Sequence, residues 1–176
     1  ISYHAAHKTA FVGKEDNMGE RSEALAGQFE RAVAEMARTV EQSSEQRWQA
    51  MCGGEKWTVA ATAHHVAAQW PLEREYISAA AEGRPMPSHT WDDINGNNER
   101  RAQDFRACGK ADVLTLLRDG ASSMAAYVRS LSDEQLDRTA ALPLADGAIV
   151  STQQLIEGGV LIDHATGHLQ SIRAAG

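Results

Sequence analysis

Four stretches of this chain space apolar residues by alternating steps of three and four, the period of one helix face, while period-two alternation is nearly absent. A chain patterned this way buries its stripes by packing helix against helix. The first helix is expected from about Glu20 to Met51, with Leu25, Phe29, Val33, Met36 and Val40 inward and Gly53-Gly54 as the stop. The second follows Trp57, with Thr58 as N-cap, and carries Val59, Val66, Trp70 and Ile77. Pro71 should kink this helix without ending it, because the apolar pattern resumes through Leu72 and Tyr76 before Gly83, Pro85 and Pro87 close the segment. The third runs from Ala111 to Leu131, with Val113, Leu114, Leu117, Ala121, Met124 and Val128 inward. The last starts at a capping box of Ser151 and Gln154 and carries Leu155, Leu161, Ile162, Leu169 and Ile172.

An all-α, antiparallel four-helix bundle follows, with a long crossover between the second and third helices. That crossover, Ser88 to Gly109, is the most polar connection and is expected to begin a helix near Trp91, with Glu99-Arg100-Arg101 on a solvated face. Ser132-Asp133-Glu134 reads as the cap of a short extra turn, and Leu142 to Val150 as irregular or briefly extended. Gly158-Gly159 inside the last helix costs about 1 kcal/mol per glycine relative to alanine, which a closely packed neighbour or a local kink would explain. The bundle is expected over residues 20–176. Residues 1–19 lack periodicity and read as a flexible tail or an expression leftover, with Met18 able to serve as a start.

The 176 residues suit one domain, and a formal net charge of −7 argues against a nucleic-acid partner. No apolar run approaches the roughly 20 residues of a bilayer span, and no signal-peptide pattern opens the chain. Cys52 and Cys108 are too few for a disulfide framework or a thiolate zinc site, so reduced thiols in a cytoplasmic protein are expected.

The strongest functional signal is His164-Ala165-Thr166-Gly167-His168. Positions i and i+4 of a helix share a face with Cβ atoms about 6 Å apart, close enough for both rings to reach one cation. His64-His65 supplies a further imidazole from the second helix, but only one of the two can face the bundle axis because neighbours diverge by about 100°. Periodicity does not choose between them. Three imidazoles without a thiolate suit zinc, nickel or iron and leave a coordination position open for water or a thiol. Histidines that merely pack a core are the plain alternative. Asp163 is a candidate acceptor for an imidazole N–H, Glu157 a candidate for the cavity rim, and Arg173 a candidate for a substrate carboxylate, each with a surface role as the competing reading. Trp57 and Trp70 are expected in the core, and Trp91 and His89 near a pocket mouth, His89 being a conceivable extra ligand. His4 and His7 are set aside as incidental.

Trp57-Thr58-Val59, His65-Val66-Ala67, Asn97-Asn98, Leu131-Ser132-Asp133-Glu134 and His164-x-x-x-His168-Leu169, in that order and spacing, resemble the DinB-like superfamily from Gly19 to Gly176. That superfamily includes metal-dependent thiol transferases and mycothiol-dependent maleylpyruvate isomerases. The resemblance implies a divalent metal held by His65, His164 and His168, since the family's second-helix ligand precedes a Leu/Val-Ala pair; His64 is the substitute. It also implies a homodimer, and an enzyme that activates a low-molecular-weight thiol or water for transfer to an electrophilic substrate, isomerisation or hydrolysis. A non-catalytic stress-linked bundle or a small-molecule binder is the alternative.

Overall fold

A computed structural model describes residues 19–175, so the expectations for residues 1–18 lie outside the described residues. Among the described residues, eight α-helices and one hairpin make up the fold: α1 (Glu20–Gln42), α2 (Glu45–Trp48), α3 (Val59–Glu82), α4 (Trp91–Asp104), α5 (Lys110–Arg129), α6 (Asp133–Asp137), β1 (Thr139–Leu142), β2 (Ala148–Ser151), α7 (Thr152–Glu157) and α8 (Ile162–Ala174). The four-helix bundle consists of α1, α3, α5 and the α7–α8 segment. α1 lies against α5 and α8, and α3 lies against the same two, so α1 and α3 occupy opposite corners. Their stripes meet in one core that includes Phe29, Met36, Val66, Trp70, Leu117, Met124, Leu155, Leu169 and Ile172.

α3 is buried on nearly every side, which its alanines permit: Ala60, Ala61, Ala63, Ala67, Ala79, Ala80 and Ala81 leave room for α4, α5, α7 and α8 to approach. Thr58 caps it, accepting from the Ala61 amide at 3.1 Å while its own hydroxyl donates to the Arg106 carbonyl at 2.7 Å. The helix continues through Pro71. The closest approach in the core falls at Gly120 of α5, where an added Cβ would sit 2.4 Å from the Trp70 ring.

Two helices are shorter than the periodicity predicts. The first ends at Gln42, because Ser43 turns extended and the Ser44 hydroxyl caps α2 by accepting from the Arg47 amide. The apolar pattern continues across this interruption because Trp48 returns to the core. The last helix breaks between Glu157 and Ile162. Gly158 leaves the helical region there, and a Cβ on it would lie 2.8 Å from the Gln154 carbonyl, so the glycine pair marks a break in the chain path. The capping boxes at Ser132 and Ser151 are both present. Residues 139–151, of which Leu142 to Val150 reads as irregular or briefly extended in sequence, form an antiparallel hairpin pairing Thr139 with Ser151 and Leu142 with Ala148.

Candidate metal centre

His65 lies in the second turn of α3, and His164 and His168 share one face of α8. Packing of α3 against α8 turns the three rings toward one point. His164 Nε2 is 3.2 Å from His65 Nε2 and 3.0 Å from His168 Nε2. They form a group of potential metal ligands found among the described residues. His64 is not part of it: its ring stacks on Phe105 of α4, with centroids 3.7 Å apart and planes 12° from parallel. Consecutive helical positions cannot both face the bundle axis, and the α3–α8 contact selects His65.

The outer nitrogens face groups that sequence reasoning missed. Glu73, two turns beyond His65 on α3, places Oε1 2.6 Å from His164 Nδ1. Glu55, in the loop before α3, places Oε1 2.8 Å from His168 Nδ1, and its Oε2 accepts from the Ser171 hydroxyl. That loop is pinned by an antiparallel bridge between Met51 and Thr58, in which the Cys52 amide donates to the Trp57 carbonyl at 2.7 Å. The Gln69 amide lies 3.4 Å from His65 Nδ1 and also bonds Asn98 of α4. Asp163, the acceptor suggested by sequence, is exposed, because neighbouring helical side chains diverge and α3 and the loop already supply carboxylates. Glu73 and Gln69 had a legible signal: they stand at i+8 and i+4 from His65 on a buried stripe. Glu55 had none.

Burial sets the protonation of the centre. It lowers His65 to about 2, with His164 and His168 adding to the effect, and lowers His164 to about 4. Burial also lowers His168, against the raising influence of Glu55. Burial would raise Glu55, but bonds from Ser171, its own backbone and His168 outweigh it and hold the carboxyl below its usual range. Buried Glu73 is raised, and its Oε2 has no partner among the described residues.

Neutral imidazoles are ready ligands. With the Nδ1 protons of His164 and His168 toward Glu73 and Glu55, the Nε2 lone pairs of these two rings turn inward toward His65 Nε2. The lone pairs of His164 and His168, on nitrogens 3.0 Å apart, repel each other without positive charge between them. Nitrogens about 2.0–2.1 Å from a tetrahedral ion lie about 3.3 Å apart, close to the spacing found here. The donor set therefore fits a divalent cation, with carboxyl groups behind two of the three imidazoles.

A cavity of about 150 Å³ opens beside His65 and His164. Leu72 and Tyr76 of α3, Trp91 and Ile94 of α4, Leu144 of the hairpin and Val160 of the helix break line its apolar side. Trp91, 57% exposed, forms part of its wall and is tethered by Nε1 donating to the Leu144 carbonyl at 2.8 Å. His89 lies outside the imidazole cluster and meets the Tyr76 hydroxyl at 3.3 Å. Glu157 is exposed and accepts from Gln153, while Arg173 pairs with Glu35 at 2.8 Å, so both have surface partners. Trp70 is core, but Trp57 is only half-buried: its ring packs edge-on against His65 and its Nε1 donates to Glu99. Cys52 and Cys108 are free thiols, and burial raises both.

The fold and the three-histidine cluster define a class, the helical bundles with an imidazole centre between two helices. The family model of the DinB superfamily matches residues 28–172, and the chain belongs to that superfamily. Among solved structures it is similar to YfiT from Bacillus subtilis, described as a probable metal-dependent hydrolase with an unusual four-helix bundle topology. The two share 17% sequence identity and a TM-score of 0.69, over 98% of this chain and 91% of that one. No curated protein matches. Among the described residues no helix is long and apolar enough to cross a membrane.

Proposed function

We propose that this protein is a metal-dependent enzyme that activates water or a low-molecular-weight thiol for hydrolysis, transfer or isomerisation. The observation that carries this reading is the placement of His164 Nε2 3.2 Å from His65 Nε2 and 3.0 Å from His168 Nε2, with Glu73 and Glu55 behind two of the rings and a cavity alongside. His65, His164 and His168 would hold the ion. A divalent ion bound there supplies Lewis acidity, which lowers the pKa of a coordinated water or thiol toward neutrality. Glu55 bonds His168 Nδ1, and Glu73 stands 2.6 Å from His164 Nδ1, so both carboxyls favour the Nδ1-protonated rings with Nε2 lone pairs inward. The apolar wall limits water around the reacting group. Membership of the DinB superfamily and the printed description of YfiT support the same class of chemistry.

The test is metal stoichiometry followed by assay. Dialysed protein, offered zinc, nickel or ferrous iron, is expected to take up one equivalent, and His164→Ala or His168→Ala to lose it while the helical circular dichroism is kept. Loaded protein is then assayed for ester hydrolysis and for thiol conjugation to electrophiles. Failure to retain any of the three ions, or equal retention by the variants, removes the reading.

A further inference from the structure

We infer that the cavity beside the imidazole cluster is a subsite for a compact, uncharged apolar group about the size of a benzene ring, so that the substrate presents such a group next to its reacting atom. Its role as a substrate subsite rests on the metal-dependent reading; its preference for such a group does not.

Three observations converge. The first is size: about 150 Å³ matches an engineered apolar cavity of about 150 Å³ that binds benzene. The second is chemistry. Away from the imidazoles the wall consists of Leu72, Tyr76, Trp91, Ile94, Leu144 and Val160, contributed by α3, α4, the hairpin and the helix break. Among the described residues no Lys or Arg lines the cavity, so an anion at its apolar end would lose its hydration without gaining a partner. The third is polar satisfaction: Gln69 and Asn98 bond each other and the Tyr76 hydroxyl meets His89, leaving Glu73 Oε2 and His164 Nδ1, both at the imidazole end, as the buried atoms of the lining residues without a hydrogen-bond partner. A ligand with an apolar body and one hydrogen-bonding group at the imidazole end suits that inventory. The walls come from four separate segments, and the Trp91–Leu144 hydrogen bond joins two of them.

The probe is fluorobenzene, followed by ligand-observed fluorine NMR with metal-free protein. Binding is expected, with 4-fluorobenzoate and 4-fluorobenzylammonium at least tenfold weaker. Val160→Trp fills the cavity from the helix break and is expected to weaken fluorobenzene at least tenfold, with thermal midpoint and circular dichroism as folding checks. Leu144→Trp fills it from the hairpin and serves if the first variant does not fold; should neither fold, the comparison of neutral and charged probes on the unaltered protein decides. Equal binding of the charged probes, or fluorobenzene affinity unchanged in a folded Trp variant, overturns the inference. A calorimetric arm uses zinc-loaded protein, where benzohydroxamate is expected to bind at least tenfold tighter than acetohydroxamate and Val160→Trp to abolish the difference. Equal affinities there also overturn the inference. No zinc-dependent binding of acetohydroxamate overturns the metal-dependent reading, while the fluorobenzene result still decides the subsite.

Discussion

Replacing Glu73 by glutamine separates what this carboxyl does for a bound ion from what it does for the fold. Glu73 is buried, with Oε1 2.6 Å from His164 Nδ1. Glutamine keeps the size and one acceptor oxygen but removes the charge that strengthens the imidazole as a donor. Loss of such an outer partner lowers metal affinity about 10–100-fold, equivalent to about 1.4–2.7 kcal/mol. The metal-free protein should respond differently. Burial raises Glu73, so the folded state holds a proton that the unfolded chain releases near pH 4.5. The wild-type contribution is therefore fully present below pH 4.5 and declines as pH rises through the folded value. Glutamine has no such decline. At pH 8 metal-free Glu73→Gln is expected to be at least as stable as wild type, with the advantage shrinking toward pH 4.5. The same variant saturated with zinc should be less stabilised by the ion than wild type. Chelator competition measures the affinity, and thermal unfolding with and without zinc measures the stabilities. Metal affinity within twofold of wild type, or an equal fall in stability of both forms, would refute the reasoning.

The imidazoles carry the opposite dependence on pH. In the unfolded chain each takes up a proton near 6.5, whereas in the folded state His164 waits until about 4 and His65 until about 2. Metal-free stability is thus fully present above pH 6.5 and falls as acid is added toward pH 4, by about 1.4 kcal/mol per pH unit for each proton taken up on unfolding, with Glu73 opposing above 4.5; denaturant titrations at pH 5 and 7 check this, and bound zinc should shift the loss to lower pH. Gly120→Ala drives a Cβ to 2.4 Å from the Trp70 ring, so an overpacking cost of about 1–3 kcal/mol outweighs the helix-propensity gain of about 0.5–1 kcal/mol. Gly96→Ala on α4 meets open space and should be neutral or stabilising, and unfolding midpoints of the pair test the difference. Cys52, buried with a raised thiol, should react with an aromatic disulfide reagent only on unfolding, so reaction at the rate of a free thiol in the native protein would count against its placement.

The sequence by itself determined the bundle, because helical periodicity is local: each apolar residue three or four positions from the last selects a face whatever it later packs against. The stripes of Leu25 to Val40, Val59 to Ile77, Val113 to Val128 and Leu155 to Ile172 could be read this way, as could the caps at Thr58, Ser132 and Ser151. The His164 and His168 pair was legible for the same reason. Local spacing could not choose His65 over His64, which required the α3–α8 contact that turns one ring inward and leaves the other on Phe105. Nor could it show that the helices end at Ser43 and Gly158, where the apolar pattern runs on past a stretch of continuous but non-helical backbone. Glu55 belongs wholly to tertiary structure: a loop carboxylate 113 positions from His168 becomes its partner because a backbone bridge folds that loop against α8. Local residue order sets helices and their faces, whereas a centre assembled from α3, α8 and a loop depends on how distant faces dock, and only the packed chain decides that.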